Sequence, residues 1–108
     1  MDKIRKRYIL IASASVIEGE FERMFLGKMM NILGVIDYSK AHLKIIKKES
    51  NTFILQVNLE FMGKAICATS MINEIGDKPH AFYTIKTSGT IKGIGRLIEK
   101  SGNNTKTI

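Results

Sequence analysis

A segment near the end of the sequence combines lysines, hydroxyl side chains and a glycine in a pattern that can bind a phosphate group. Residues 86–93 read Lys-Thr-Ser-Gly-Thr-Ile-Lys-Gly, between an alternating run over residues 80–87 and apolar residues at helical spacing. This pattern predicts a strand, a turn and a short helix, whose first free amides can bind an anion or be capped by a hydroxyl group. The residues concerned are Ser88, Gly89, Thr90, Lys92 and Arg96. We expect the glycine to allow the turn because it has no Cβ; an ordinary solvated helix cap and a phosphate site both fit the segment.

A second group of basic residues lies at the start of the sequence. Residues 1–7 are expected to form a flexible arm, whose charged side chains are Lys3, Arg5, Lys6 and Arg7. The whole chain has 17 basic and 10 acidic residues, which gives a net charge of +7. A small domain with clustered positive charge indicates a polyanionic partner, most often nucleic acid, although the same charge also favours solubility.

The remaining polar residues do not form a pattern that supports catalysis or metal binding. His42, His80 and Cys67 stand apart in the sequence and lack the spacing of a metal site. Glutamates at positions 18, 20 and 22 can in principle hold Mg²⁺, but they equally suit the start of a helix. No serine has a histidine and aspartate partner set, and no phosphate-loop glycine pattern occurs. We therefore expect this chain alone to bind no cofactor or metal and to hold no catalytic site.

The sequence also favours a cytoplasmic location. Its single cysteine excludes an intrachain disulfide and suits a reducing compartment. No apolar run approaches the ~20 residues that cross a bilayer, and the basic N-terminus lacks the layout of a signal peptide.

One α+β domain over residues 1–100 is predicted to position the basic residues, with a disordered tail over residues 101–108. Alternation predicts strands, and apolar spacing of three and four residues predicts helices. The predicted elements are a strand at 8–13, a helix at 21–33 ending at Gly34, strands at 42–48 and 52–57, a helix at 60–75 capped by Asn58, and a strand at 80–87. Residues 37–41 are expected to be a polar connection, and Tyr83 is expected to lie in the core. The order β-α-β-β-α-β is that of a split βαβ, ferredoxin-like sandwich, in which a four-stranded antiparallel sheet carries two helices on one face.

A short third helix is expected after residue 90. Two glycines, Gly93 and Gly95, each lower its stability by about 1 kcal/mol relative to alanine. The helix therefore needs a surface on which to dock, either the free face of the sheet or a partner protein. The docking side chains are Ile94, Leu97 and Ile98.

Two of these segments resemble a known family. Lys-Arg-Tyr-Ile at residues 6–9 and Ser-Gly-Thr-Ile-Lys at residues 88–92 are similar to the archaeal ribonuclease P protein component 2 family. Its eukaryotic counterpart is the processing-of-precursor subunit of ribonuclease P. The resemblance extends over residues 4–100 and includes Asn-Ile-Leu-Gly at residues 31–34.

The resemblance implies a protein subunit of ribonuclease P, the ribonucleoprotein endonuclease that removes the 5′ leader from precursor tRNA. In that family the RNA subunit carries the active site and uses Mg²⁺, while the proteins stabilise the RNA fold and its grip on the substrate. The implied partners are ribonuclease P RNA, precursor tRNA and protein component 3, with self-association in a two-fold heterotetramer. The implied RNA contacts are Lys3, Arg5, Lys6, Arg7, Ser88, Gly89, Thr90, Lys92 and Arg96.

Two other functions are open on the residues alone. A stand-alone RNA-binding module of the RNA-recognition-motif type shares this strand order, and it stacks single-stranded bases on aromatic side chains of the open sheet face. An acylphosphatase-like enzyme on the same scaffold needs an arginine in the loop after the first strand, whereas residues 13–18 contain none.

Overall fold

The computed structural model of the chain describes residues 5–17, 19–76 and 78–91. The strands are β1 Lys6–Ser13, β2 Lys44–Glu49, β3 Thr52–Asn58, β4 Glu74–Ile75, β5 Lys78–Pro79 and β6 Phe82–Ser88. The helices are α1 Phe21–Leu33, α2 Val35–Ala41 and α3 Met62–Met71, and a 3-10 turn over Leu59–Phe61 leads into α3. Within the described ranges no helix is long and apolar enough to span a membrane. The predictions for Lys3, Lys92, Ile94, Arg96, Leu97, Ile98 and the tail fall outside the described residues.

The main sheet has the strand order β2-β3-β1-β6, and every neighbouring pair is antiparallel. The first and third long strands therefore occupy the centre, as the split βαβ arrangement requires, and the predicted fold class is confirmed. Strands β4 and β5 pair separately as a small hairpin.

The core lies between one face of the sheet and the helices. Four phenylalanines form its centre, with ring centroids 5.1 to 6.1 Å apart. They are Phe21, Phe25, Phe53 and Phe82. Because β1 is apolar on both sides, Ile9 and Ile11 join this core while Leu10 packs with Ile54 on the opposite face.

Helix α1 has the predicted bounds and ends at Gly34, where φ is 88°. Only glycine adopts this conformation without strain, which explains its position at the end of the helix. The prediction of a polar connection after it is wrong, because Val35–Ala41 forms α2. Its contacts stabilise this short helix: Ala41 is buried, and the Lys64 ammonium lies 3.0 Å from the Asp37 carboxylate.

The second predicted helix is shorter than its apolar spacing indicates. It ends at Met71, and the backbone of Ile72 is extended. Ile72 and Ile75 remain buried, so their spacing of three reflects burial rather than helix. The predicted cap is also wrong, since Asn58 makes no side-chain capping bond; its Nδ2 donates instead to the Lys40 carbonyl oxygen at 2.7 Å.

Strand β6 begins at Phe82, which is buried, whereas Tyr83 is 58% exposed. The predicted core position of Tyr83 is therefore wrong. Phe82, opposite Ser13, lies on the sheet face toward the helices, so Tyr83, opposite Ala12, lies on the other face. Farther along the strand, Ile11 is opposite Thr84 and Leu10 is opposite Lys86, which leaves Ile85 as the additional residue of a bulge.

Candidate nucleic-acid interface

The two basic segments singled out in the sequence meet at one end of the sheet. Strand β1 begins where its antiparallel neighbour β6 ends, and Tyr8 lies opposite Ser88. A Cβ atom on Gly89 would lie 3.6 Å from Nη1 and 3.8 Å from Cζ of Arg7. The structure thus places Arg7 beside Gly89, at the end of the sheet where Arg5 and Lys6 precede it in the chain.

The turn after β6 is held by its own hydroxyl groups. Ser88 Oγ accepts a hydrogen bond from the Thr90 backbone N–H at 3.1 Å and lies 3.5 Å from the Thr90 hydroxyl. The Ser88 side chain therefore caps the amide of Thr90, as one interpretation of the segment predicts. Because that N–H is already bonded, it is not free to bind a phosphate oxygen.

The conformational reason for expecting a glycine at position 89 is not met. Among the described glycines, φ is positive at Gly19, Gly34 and Gly76, and not at Gly89. The backbone at Gly89 therefore accepts other residues. What the glycine provides is an uncovered backbone next to the Arg7 guanidinium.

The basic residues of the arm that the structure describes are ordered against the sheet. Strand β1 begins two residues earlier than predicted and includes Lys6 and Arg7. The Leu59 N–H donates to the Arg5 carbonyl oxygen at 2.7 Å, and Arg7 Nη1 donates to the Lys6 carbonyl oxygen at 3.0 Å. Side chains on such a backbone bind an anion with less loss of conformational entropy than those of a flexible arm.

The positive charge at this end of the sheet has no carboxylate partner among the described residues. Ion pairs within the described ranges are Arg23–Glu20, Lys28–Glu74, Lys48–Glu22 and Lys64–Asp37. Each involves at least one residue of the helical layer, and none involves Arg5, Lys6 or Arg7. These three cations therefore remain available to phosphate groups.

Strand register adds one lysine to this end of the sheet that the sequence reasoning did not select, Lys44, and leaves Lys47 and Lys86 one row farther from the end. Lys44 lies opposite Gln56, which lies opposite Tyr8, so the three side chains share the sheet face away from the helices. In the next row, Lys47 and Lys86 flank Ile54 and Leu10 on the same face. Only the strand order and the two irregularities of register reveal this placement.

The centre of that face does not offer a surface for stacking bases. Its central positions are Leu10 and Ile54, which are 2% and 0% exposed, with Tyr8 and Ile46 packed against them. An RNA-recognition-motif platform needs exposed aromatic rings at such positions. Tyr83 is exposed but lies on the edge strand β6.

One serine has a histidine partner that the sequence reasoning did not identify. Ser13 Oγ lies 3.0 Å from His80 Nδ1, and the His80 ring stacks on Phe82 with centroids 5.5 Å apart. Ser13 is only 2% exposed, and its Oγ also accepts a hydrogen bond from the Ser15 N–H. The pair therefore joins the end of β1 to the start of β6, and a substrate has no access to the hydroxyl. Within residues 5–17, 19–76 and 78–91, no group of three or more potential ligands is placed to hold a metal ion.

Comparison with known proteins places this fold and these segments in a family. The structure is similar to a chain in the cryo-EM structure of yeast ribonuclease MRP, with a TM-score of 0.65 and 12% identity over 100% of both chains. A hypothetical protein from Methanocaldococcus jannaschii has a TM-score of 0.36 and 16% identity over 89% of this chain and 98% of its own. No curated protein matches the sequence. The family description Rpp14/Pop5 matches residues 7–98, from Arg7 at the start of β1 to beyond the turn at Gly89, and the chain therefore belongs to the Rpp14/Pop5 family.

Proposed function

We propose that this chain supports the catalytic RNA of ribonuclease P in removing the 5′ leader from precursor tRNA. Its family identifies it as a protein subunit of ribonuclease P; the proposal concerns how it acts there. The chain binds RNA phosphates through the end of the sheet where β1 begins and β6 ends. The RNA subunit carries the reaction and uses Mg²⁺, and the complex works in the cytoplasm.

The observation that carries this proposal is the meeting of two basic segments that are distant in the sequence. The Arg7 guanidinium lies 3.6 Å from the position that a Cβ on Gly89 would occupy, and the cations of the β1 start form no ion pair within the described residues. Lysine and arginine that contact phosphates release counterions and add affinity without reading sequence. Such contacts suit a protein that stabilises a folded RNA.

Protein partners complete the proposal. The chain pairs with ribonuclease P protein component 3 and self-associates in a two-fold heterotetramer. Exposed apolar side chains on α2 support protein contact, since Val35 and Ile36 are 69% and 71% exposed. The side chains of Ile94, Leu97 and Ile98 are predicted to contribute to the same contacts.

Reconstitution of the complex tests the proposal. Cleavage of precursor tRNA is measured at low Mg²⁺ with the cognate RNA and component 3, in the presence and absence of this chain. We expect cleavage to increase when the chain is present and the increase to be reduced by Lys6→Ala with Arg7→Ala. Lys28→Ala is the matched control, because Lys28 lies on α1 and pairs with Glu74 at 3.8 Å. Equal cleavage with and without the chain contradicts the proposal.

The alternative of a stand-alone RNA-recognition-motif module has no specific observation in its favour. Its platform positions hold buried Leu10 and Ile54. Tight binding of short oligonucleotides in the absence of any partner would restore it.

A further inference from the structure

We infer that a groove at the other half of the same sheet end binds a second phosphodiester group of RNA. The groove has a volume of about 470 Å³ and lies where β1 and β2 begin and β3 ends. It is lined by Lys6, His42, Leu43, Lys44, Gln56 and Asn58. This inference rests on the proposed function and adds a ligand group and residues that the sequence did not indicate.

Two lysines face the groove from either side of β3. Lys6 is opposite Asn58 across the β1–β3 pair, and Lys44 is opposite Gln56 across the β2–β3 pair. Positions 6, 44, 56 and 58 therefore share one face of the sheet. The two lysine strands are two strand spacings apart, about 10 Å, and flexible four-carbon side chains can bring both ammonium groups to an anion between them.

The chemistry of the lining suits an anion. It contains two ammonium groups, an imidazole and two side-chain amides, and no carboxylate. Lys6 and Lys44 are exposed and belong to none of the ion pairs of the described residues. Glu60 follows two residues after Asn58 but does not line the groove. A phosphate group there would receive charge-assisted hydrogen bonds without facing a lining carboxylate.

One hydrogen bond and one sharp backbone turn define the edges of the groove. Asn58 Nδ2 donates to the Lys40 carbonyl oxygen at 2.7 Å, which joins the end of β3 to the last turn of α2. His42 has left-handed backbone angles of φ 50° and ψ 53°, so the chain turns sharply into β2. The backbone of the groove is thus set by the fold, and binding has to order only the exposed lysine side chains.

The groove and Arg7 lie at the same end of the sheet but on its two faces: Arg7 is opposite Val57 on the face toward the helices, and Lys6 and Lys44 lie on the face away from them. The end of β6, the start of β1, the end of β3 and the start of β2 lie side by side. Four strands at their usual spacing span about 14 Å. An RNA strand that passes around this end can therefore contact Arg7 with one phosphate and the groove with another.

A pair of matched lysine substitutions tests the groove. Lys44→Ala and Lys47→Ala remove the same charge from the same strand and sheet face, but only Lys44 lines the groove. Affinity of the full chain for a ten-nucleotide single-stranded RNA is measured at several salt concentrations, with NMR shifts of the His42, Lys44 and Gln56 signals as a local readout. Log affinity falls linearly with log salt concentration, and each phosphate contact on a single strand makes this slope steeper by about 0.7. One contact therefore contributes about fivefold to the affinity at 0.1 M salt relative to 1 M.

We expect Lys44→Ala to weaken binding by about fivefold and to lower the slope by about 0.7, and Lys47→Ala to change affinity less than twofold. Equal losses of RNA affinity in the two variants, or RNA-dependent NMR shifts confined to Arg7 and Gly89, would contradict a phosphate site in the groove. Either result would leave the proposed function intact. Absence of RNA-dependent shifts anywhere on the chain would instead count against its RNA-binding role altogether. A titration with inorganic phosphate should shift the same three groove signals, and failure to do so also counts against the groove.

Discussion

Replacement of Gly89 by alanine separates two explanations for the glycine in the turn after β6. If the backbone required a glycine, the substitution would destabilise the fold. The structure indicates otherwise, because φ at Gly89 is not positive and the new Cβ would lie 3.6 Å from Arg7 Nη1, an ordinary contact distance. Alanine at a compatible position stabilises a protein by about 0.4–1 kcal/mol, since it restricts the unfolded chain.

The methyl group would nevertheless occupy the space between the Arg7 guanidinium and the turn. If a phosphate group lies there, Gly89→Ala weakens RNA binding by about fivefold at 0.1 M salt, the contribution of one phosphate contact. Free energies of unfolding from urea denaturation and RNA affinities are measured on the same preparations. Arg7→Ala should give a similar loss of affinity and serves as the positive control.

Gly27→Ala provides the matched glycine control. Gly27 lies inside α1 with no atom within 4 Å of its added Cβ, so the substitution should stabilise the protein by about 0.5–1 kcal/mol and leave RNA affinity unchanged. A loss of more than about 1 kcal/mol of stability in Gly89→Ala would show that the turn does require glycine. Unchanged affinity in that variant would refute a phosphate at this position.

Three further substitutions test the packing that positions the site. Phe25→Ala removes a fully buried ring from the phenylalanine cluster and should lower the free energy of unfolding by about 3–5 kcal/mol; a loss below 1 kcal/mol in urea denaturation would contradict the described core. Gly34→Ala forces alanine into φ 88° and ψ 156° and should lower the free energy of unfolding by about 1–3 kcal/mol. Gly27→Ala should not lower it, and equal changes in the two variants would contradict the described end of α1. Ser13→Ala should lower the free energy of unfolding by about 1–3 kcal/mol because His80 loses its buried partner. As long as the variant is folded, the reconstituted complex should cleave RNA at the unchanged rate. A loss of cleavage in stably folded protein would assign the pair a chemical role.

The sequence was informative wherever one face of an element is buried throughout its length. The spacing of Phe21, Phe25 and Met29 predicted the bounds of α1 because all three side chains face the core. The sequence was misleading after α3, which ends at Met71. Ile72 and Ile75 have helical spacing and are buried, but they lie in a bend and a small hairpin. Helix α2 was missed because its exposed Val35 and Ile36 do not continue an apolar face.

The site was predictable in composition and not in geometry. The two basic segments could be identified from residue types, but their contact depends on the pairing of β1 with β6. Lys44 was not selected because nothing in the local sequence distinguishes it from Lys47, and only the register of β2 on β3 places it beside Gln56. The Ser13–His80 bond joins residues 67 positions apart, beyond any local pattern.

The antiparallel order of the sheet explains how a chain of ordinary composition separates its charges. Lysines that contact the helical layer, such as Lys28, Lys48 and Lys64, are neutralised by carboxylates of that layer or its neighbours. Because β1 and β2 begin where β3 and β6 end, Lys6, Arg7 and Lys44 gather at one end, and these residues form none of the described ion pairs. Exposed ion pairs contribute at most about 1 kcal/mol each to stability, whereas unpaired cations add directly to the affinity for a polyanion. Added salt should therefore weaken RNA binding steeply while it leaves the free energy of unfolding nearly unchanged, and a parallel loss of both would show that the same charges stabilise the fold.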